Sequence, residues 1–489
     1  MSPAFTVEAG RLLIDGEWKD ARSGKTFASL NPADESEITR VAEAGGDDVD
    51  AAVAAGRKAL ESGPWRKMTA AERGKILWRM GELVLERLPQ LSLLETVDTG
   101  KTLFDSGKIE LPMAAQIFQF YAGAASKIAG RTPSSRSDAF LFTLKEPVGL
   151  VAAIVPWNFP FLLATWKVAP ALAAGCCVIL KPASQTPLSA LEMGRIGLDA
   201  GLPPGVLQIL PGAGSGAGMA LVRHPGVDKV AFTGSTEVGK TILREAAASL
   251  KRVSVELGGK SPNIVFADAD QEAAVRGAFN GIFYNKGEVC AAGSRLFVEK
   301  SIHAPFVAQL AERADAIVLG DPREKTTRMG PVISAGQMDT VLGYIEDGKK
   351  DGARLAAGGQ RATEVNGGKG YFVRPTVFDG VTPEMRIARE EIFGPVLAVL
   401  PFDDAADAVA KANGTIYGLA AGVWTRDVAK AHKVAAAIRA GTVWVNTYNL
   451  YDPALPFGGF KQSGFGRDLG VDAIEGYLET KSVWIDLGR

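Results

Sequence analysis

A chain of 489 residues exceeds what one hydrophobic core can organise, so two or three domains are expected. Hydrophobic residues make up 47% and charged residues 22%, and the formal net charge of −1 gives no electrostatic case for nucleic acid or an anionic membrane. Three cysteines cannot build a disulfide framework, and no Cys or His cluster has the spacing of a metal site.

The opening MSPAFTVEAGRLLIDGEWKD mixes acidic and basic residues and lacks the apolar core of a leader, which points to a reducing, cytoplasmic compartment. The first 125 residues or so read as helix-rich: DDVDAAVAAGRKALESG and AAERGKILWRMGELVLERL are both amphipathic at helical spacing. From Pro147 to Trp166 no residue is charged, long enough to suggest a membrane span. PWNFP lies inside that run, and two prolines around an asparagine would break a spanning helix, so a strand, a loop and a buried helix are predicted instead.

From residue 149 onward, short apolar runs alternate with helical stretches. GLVAAIV, CCVILKP, GVLQILPG, DKVAFTGS and KRVSVELGG read as buried strands, with helices in PLSALEMGRIGLDAG and STEVGKTILREAAASL. That alternation predicts an α/β fold with a doubly wound parallel sheet, whose ligands lie at the carboxyl ends of strands. PNIVFADA, SRLFVEK, APFVAQLAERADAI and GTVWVNTY repeat the pattern and predict a second α/β domain. DAFLFTLKEPVG and the terminal KSVWIDLGR alternate apolar and polar residues outside both patterns, and such strands are expected to pair with a second subunit.

Two glycine-rich turns compete for a dinucleotide. GAGSGAG, residues 212–218, is a loose pattern that any strand–helix turn would produce. FTGSTEVGK is more specific: a strand ends near Phe232, Gly234 and Ser235 make the turn, and a helix starts near Thr236, where free amides suit a pyrophosphate. Cys176 and Cys177 read as small buried hydrophobes, whereas Cys290 stands among small residues in NKGEVCAAGSR. The three histidines, His224, His303 and His432, have no nucleophile nearby in sequence, so a carboxylate is the expected base for Cys290.

Seven motifs then fall in one order: PWNFP, KPASQTP, FTGSTEVGK, VELGGKSPNIV, GEVCAAGSR, EEIFGPV and PFGGFKQSGFGRDLG. Together they resemble the aldehyde dehydrogenase superfamily, from NPADESEI to the terminal strand. The resemblance implies Cys290 as the nucleophile, Asn158 as the side-chain oxyanion donor and Glu256 as the base that activates hydrolytic water. It implies NAD or NADP as cofactor, held by Pro156, Trp157, Lys181, Ser184, Gly234, Ser235, Glu391 and Phe393, and no metal. Phe159, Leu162, Leu163, Trp166, Tyr284, Val289, Ala291, Tyr451 and Phe457 match the aldehyde tunnel of the family.

The implied layout is a cofactor domain over residues 1–128 and 148–258, a catalytic domain over 259–461, and an oligomerisation element over 129–147 and 476–489. A homodimer or homotetramer is expected. Coenzyme A-acylating relatives generally lack the glutamate present here as Glu256, and non-catalytic relatives tend to lose the thiol or the base, so hydrolysis to the free acid is favoured. Trp166 stands where succinic semialdehyde relatives carry an arginine, which favours an aromatic or medium-chain apolar aldehyde, with betaine aldehyde as the alternative. Three departures stand out. Glu288 replaces a common glutamine, and Asp468 replaces a glutamate thought to relay protons. Ser184 replaces the glutamate frequent in NAD-selective relatives; it is read either as a contact that tolerates a 2′-phosphate or as a helix cap.

Overall fold

The computed structural model describes residues 7–488; the first six residues of the stretch read as lacking a leader, and Arg489 of the terminal strand, lie outside the described residues. Two large sheets organise the chain. In the first, parallel strands lie in the order Leu207–Ile209, Cys177–Lys181, Leu150–Ile154, Lys229–Thr233, Arg252–Glu256. The chain enters at the centre, winds outward to one side and returns to wind to the other, which leaves a crevice beyond the carboxyl ends of Leu150–Ile154 and Lys229–Thr233. All five residues of Leu150–Ile154 and of Cys177–Lys181 are buried, the continuous apolar pattern of a strand covered on both faces. Each large aliphatic side chain so buried contributes roughly 1.5–3 kcal/mol before conformational entropy is set against it.

The second sheet runs Arg354–Ala357, Thr376–Asp379, Val396–Phe402, Arg295–Glu299, Pro262–Val265, Ala420–Trp424, Thr442–Val445, with only the first of these antiparallel to its neighbour. A short link through Gly258 and Gly259 joins the last parallel strand of the first sheet to Pro262–Val265 of the second. The carboxyl ends of one sheet therefore meet the amino ends of the other. That junction is where the candidate site lies.

The uncharged run after Pro147 folds as expected, into strand Leu150–Ile154 and helix Pro160–Ala174, and every residue of that helix is buried. No helix among the described residues is long and apolar enough to cross a membrane. Two features depart from the sequence reading. The amino-terminal region is not helical throughout: Leu12–Ile14, Glu17–Lys19, Thr26–Leu30 and Glu37–Ala42 are short strands, and the first two extend the first sheet. The two outlying strands pair with each other, which the sequence reading did not foresee: Ala139–Pro147 and Leu478–Asp486 form an antiparallel ribbon in register along their whole length, with no further strand on either outer edge among the described residues. Complementary alternation lets one strand satisfy the other's backbone groups, which was invisible while each was read alone.

Candidate active site

Asn158 sits in the turn between strand Leu150–Ile154 and helix Pro160–Ala174. Its side-chain nitrogen donates to the Glu288 carbonyl at 2.9 Å, while its own backbone carbonyl accepts from Lys101 Nζ at 2.9 Å and from Asn285 Nδ2 at 3.0 Å. A primary amide has two N–H groups, so one is committed to Glu288 and one is left to stabilise charge nearby. The clasp is reciprocal: the oxyanion turn donates into the cysteine loop, and the cysteine loop donates back.

Cys290 lies on the loop between helix Gln271–Phe283 and strand Arg295–Glu299. A Cβ at Gly259 would meet the Cys290 carbonyl at 2.5 Å, and one at Gly287 would meet the Gly394 carbonyl at 2.1 Å, so glycine is required where these backbones cross. Burial pushes the thiol up to about 12, and the carboxylates of Glu391 and Glu256 push in the same direction. The resting group is a thiol that needs a base. Glu256 ends its strand almost wholly buried, with neither carboxylate oxygen hydrogen-bonded. Burial raises it well above the usual carboxylate range, Asp468 adds to the rise, and Lys167 and Arg467 oppose it. Lys167 is itself buried and forms an ion pair with Asp468 at 2.9 Å. None of the three histidines lines the adjoining cavity; His303 pairs with Asp379 and His224 with Asp50.

A cavity of about 460 Å³ lies beside this junction, and its lining includes Val289, one residue before the thiol. Phe159, Leu162, Leu163, Trp166, Tyr284 and Tyr451 line it. Phe159 and Tyr284 stack at 6.0 Å, and Tyr284 donates its hydroxyl to Glu110 Oε1 at 3.0 Å. Phe457 is not on the wall but packs edge-on against Trp166 and Tyr451, each at 5.4 Å. Ala291 does not reach the cavity: it is fully buried, and its carbonyl holds the Tyr448 hydroxyl at 2.9 Å. Tyr448, Met113 and Phe283 also line the wall, and the sequence reading gave none of them a place in the site.

On the other side of Cys290, the residues present suit a dinucleotide. Strand Lys229–Thr233 leads into helix Thr236–Ala247, whose first amide groups are free except that Val238 donates to the capping Ser235 hydroxyl at 3.4 Å. A Cβ at Gly234 would lie 2.4 Å from the tip of the Phe232 ring, so a larger residue there would require that ring to shift. Lys181 is buried, its ammonium makes no hydrogen bond or ion pair among the described residues, and burial lowers it to about 8. A buried lysine in that condition suits a ribose hydroxyl or phosphate. GAGSGAG lies beside this lysine: a Cβ at Gly218 would be 3.8 Å from the Lys181 side chain. Glu391 accepts from the Gly259 amide at 3.0 Å, and burial raises it to about 7. Phe393 is held at φ 56° with its carbonyl bonded to Gln337 Nε2 at 2.7 Å, and it meets Trp157 edge-on at 5.2 Å, directly after Pro156. Ser184 does not cap a helix: the next one begins at Leu188 behind Pro187, and the Leu188 amide goes to Asp98 at 3.0 Å. The capping reading of Ser184 therefore falls.

The family model described as "Aldehyde dehydrogenase family" matches residues 18–483. The chain belongs to the aldehyde dehydrogenase family. As an aldehyde dehydrogenase it is an NAD(P)-dependent oxidoreductase, and its fold is that of the family. It is 47% identical to the putative aldehyde dehydrogenase DhaS of Bacillus subtilis (strain 168), over 99% of this chain and 97% of the relative. An NAD+ complex of an aldehyde dehydrogenase from Bacillus cereus superposes with a TM-score of 0.97 at 49% identity, covering 98% of this chain and 97% of that one. The P. syringae AldA indole-3-acetaldehyde dehydrogenase superposes with a TM-score of 0.97 at 45% identity, covering 99% and 98%.

Proposed function

We propose that this aldehyde dehydrogenase oxidises an aromatic or medium-chain apolar aldehyde to the free carboxylic acid, through a hemithioacetal and then a thioester on Cys290. The observation that carries the substrate class is the aromatic and aliphatic wall of the cavity whose lining includes Val289. Cys290 attacks the carbonyl carbon, and its proton passes to a base. The oxygen becomes negative between the Cys290 backbone amide and the uncommitted N–H of Asn158, where losing one donor typically costs ~10²–10³ in rate. NAD(P), held along Lys181, Ser235 and Glu391, supplies the acceptor for the hydride that leaves the hemithioacetal. Glu256, raised by its burial, takes a proton from water that attacks the thioester. The acid leaves and the thiol is restored.

A betaine-type aldehyde is the second reading, supported by the rings of Trp166 and Tyr451, which line the cavity 5.7 Å apart with Phe457 packed against both from outside the wall. A kcat/KM panel of benzaldehydes, arylacetaldehydes, alkanals and betaine aldehyde separates the two. The first reading requires the aromatic or alkyl aldehydes to lead, and a lead for betaine aldehyde would replace it. On the cofactor, Ser184 carries no charge to repel a 2′-phosphate, so NADP should be used as well as NAD. Ser184→Glu is expected to raise KM for NADP at least about tenfold more than KM for NAD; equal effects would remove Ser184 from cofactor selection. Low cysteine content and near-neutral charge support a cytoplasmic enzyme, and the exposed apolar side chains of the ribbon, Phe140, Leu144, Trp484 and Ile485, support a homodimer or homotetramer.

A further inference from the structure

We propose that the buried Lys286–Glu288 ion pair is a positioning device: it braces the strained turn before Cys290 and so sets the Glu288 carbonyl that orients the oxyanion amide of Asn158. The inference rests on Cys290 and Asn158 acting as described above. Three consecutive residues before the nucleophile, Asn285, Lys286 and Gly287, have φ of 44°, 61° and 70°. Left-handed backbone is unfavourable for the first two, and such strain persists only where surrounding contacts over-determine it.

Those contacts are specific. The side chains of Lys286 and Glu288 are 2% and 0% exposed, and Nζ lies 3.0 Å from Oε2. Lys286 also donates to the Thr99 carbonyl at 2.9 Å, and Glu288 Oε1 accepts the Ile333 amide at 2.9 Å. The pair thus ties the cysteine loop to two other segments. Two residues beyond Thr99, Lys101 donates to the Asn158 carbonyl and pairs with Glu110. One turn therefore anchors both halves of the oxyanion hole, and the Glu288 carbonyl, bonded by Asn158 Nδ2, joins them.

Stability alone does not call for this pair. A buried ion pair contributes little compared with neutral side chains of the same shape, but removing one partner leaves the other charge uncompensated. The remaining charge will draw in water or swing away, and the flanking turn, two residues from the thiol, moves with it. Position rather than charge is what the loop requires.

The test uses Lys286→Gln, Glu288→Gln and the double substitution, with the pre-steady-state burst of reduced cofactor measured well below each Tm. Each single change should slow the burst about tenfold or more, while KM for NAD stays unchanged. The double should recover to within about threefold of wild type, because two neutral amides can share the buried position. Singles that lose Tm yet keep a burst within about twofold of wild type would make the pair merely structural and overturn the inference. A double as slow as the slower single would also overturn it. If the singles fail to fold, the double decides: a folded double with a fast burst upholds the pair, and an unfolded or slow one contradicts it. Cys290→Ala is run alongside, since a burst surviving there would sink the nucleophile reading and not the pair.

Discussion

At Glu256 burial and chemistry pull on the same group. Its carboxyl titrates above the usual range because it is buried and faces Asp468, so in the folded protein it holds its proton to higher pH than in the unfolded chain. A group raised in this way contributes stability that is fully present below its unfolded value and is lost as pH rises through its folded value. Glu256→Gln should therefore gain Tm over wild type as pH is raised above the usual carboxylate range, with little gain near pH ~4. A Tm difference independent of pH would show that Glu256 titrates normally. Cys290, Asn158 and Glu256, the residues proposed to react, were legible because chemistry restricts their types and the motifs fix their places. Lys101, Glu110, Lys286 and Glu288 were not, since charge in a sequence reads as solvent-facing. What buries them is pairing across distance; Tyr284 reaches Glu110 over 174 positions.

Helix Pro160–Ala174 shows the same limit at the scale of elements. Its apolar run predicted a buried helix, and it is one, but Lys167 on it needs a buried counter-ion from a distant segment. That segment, including Asp468, returns to the first sheet through Gly464–Phe465, which pairs antiparallel with Arg252–Glu256. Asp468→Asn should destabilise the protein by about 3–5 kcal/mol, because Lys167 is left buried without its partner. The same change removes a negative neighbour of Glu256, so the acidic limb of thioester hydrolysis should move to lower pH. Denaturant melts and a pH–rate profile check the two effects, and an unchanged limb would separate Asp468 from Glu256. Long apolar strands were readable from their pattern. The short ones were not: Glu17–Lys19 is two charges around a tryptophan, with no alternation to count. The ribbon of Ala139–Pro147 and Leu478–Asp486 joins strands over 330 residues apart, and single-strand periodicity carries no partner.

For the whole molecule, pairing the ribbon strands satisfies their facing backbone groups but leaves each outer edge without a strand partner among the described residues, and leaves Phe140, Leu144, Trp484 and Ile485 at 49%, 42%, 66% and 46% exposure. Apolar residues gathered on one small element mark an association surface. Trp484→Arg should lower the mass measured by light scattering at micromolar concentration while leaving the isolated subunit folded, and a wild-type monomer would end the oligomer reading. The two-sheet architecture has a functional consequence at the same scale. Lys181, Gly234 and Ser235 lie at the carboxyl ends of one sheet, Glu391 and Phe393 just ahead of strand Val396–Phe402 of the other, the thiol on the loop before Arg295–Glu299, and Glu256 on the last strand before the link between the sheets. Acylation and hydrolysis thus depend on separate groups, and removing Glu256 should leave acylation intact. Stopped-flow mixing of Glu256→Gln with aldehyde and NAD tests this most directly. A rapid burst approaching one reduced cofactor per active site is expected, followed by turnover slowed at least about a hundredfold; linear formation at the wild-type rate, with no burst, would rule out Glu256 as the base for hydrolysis.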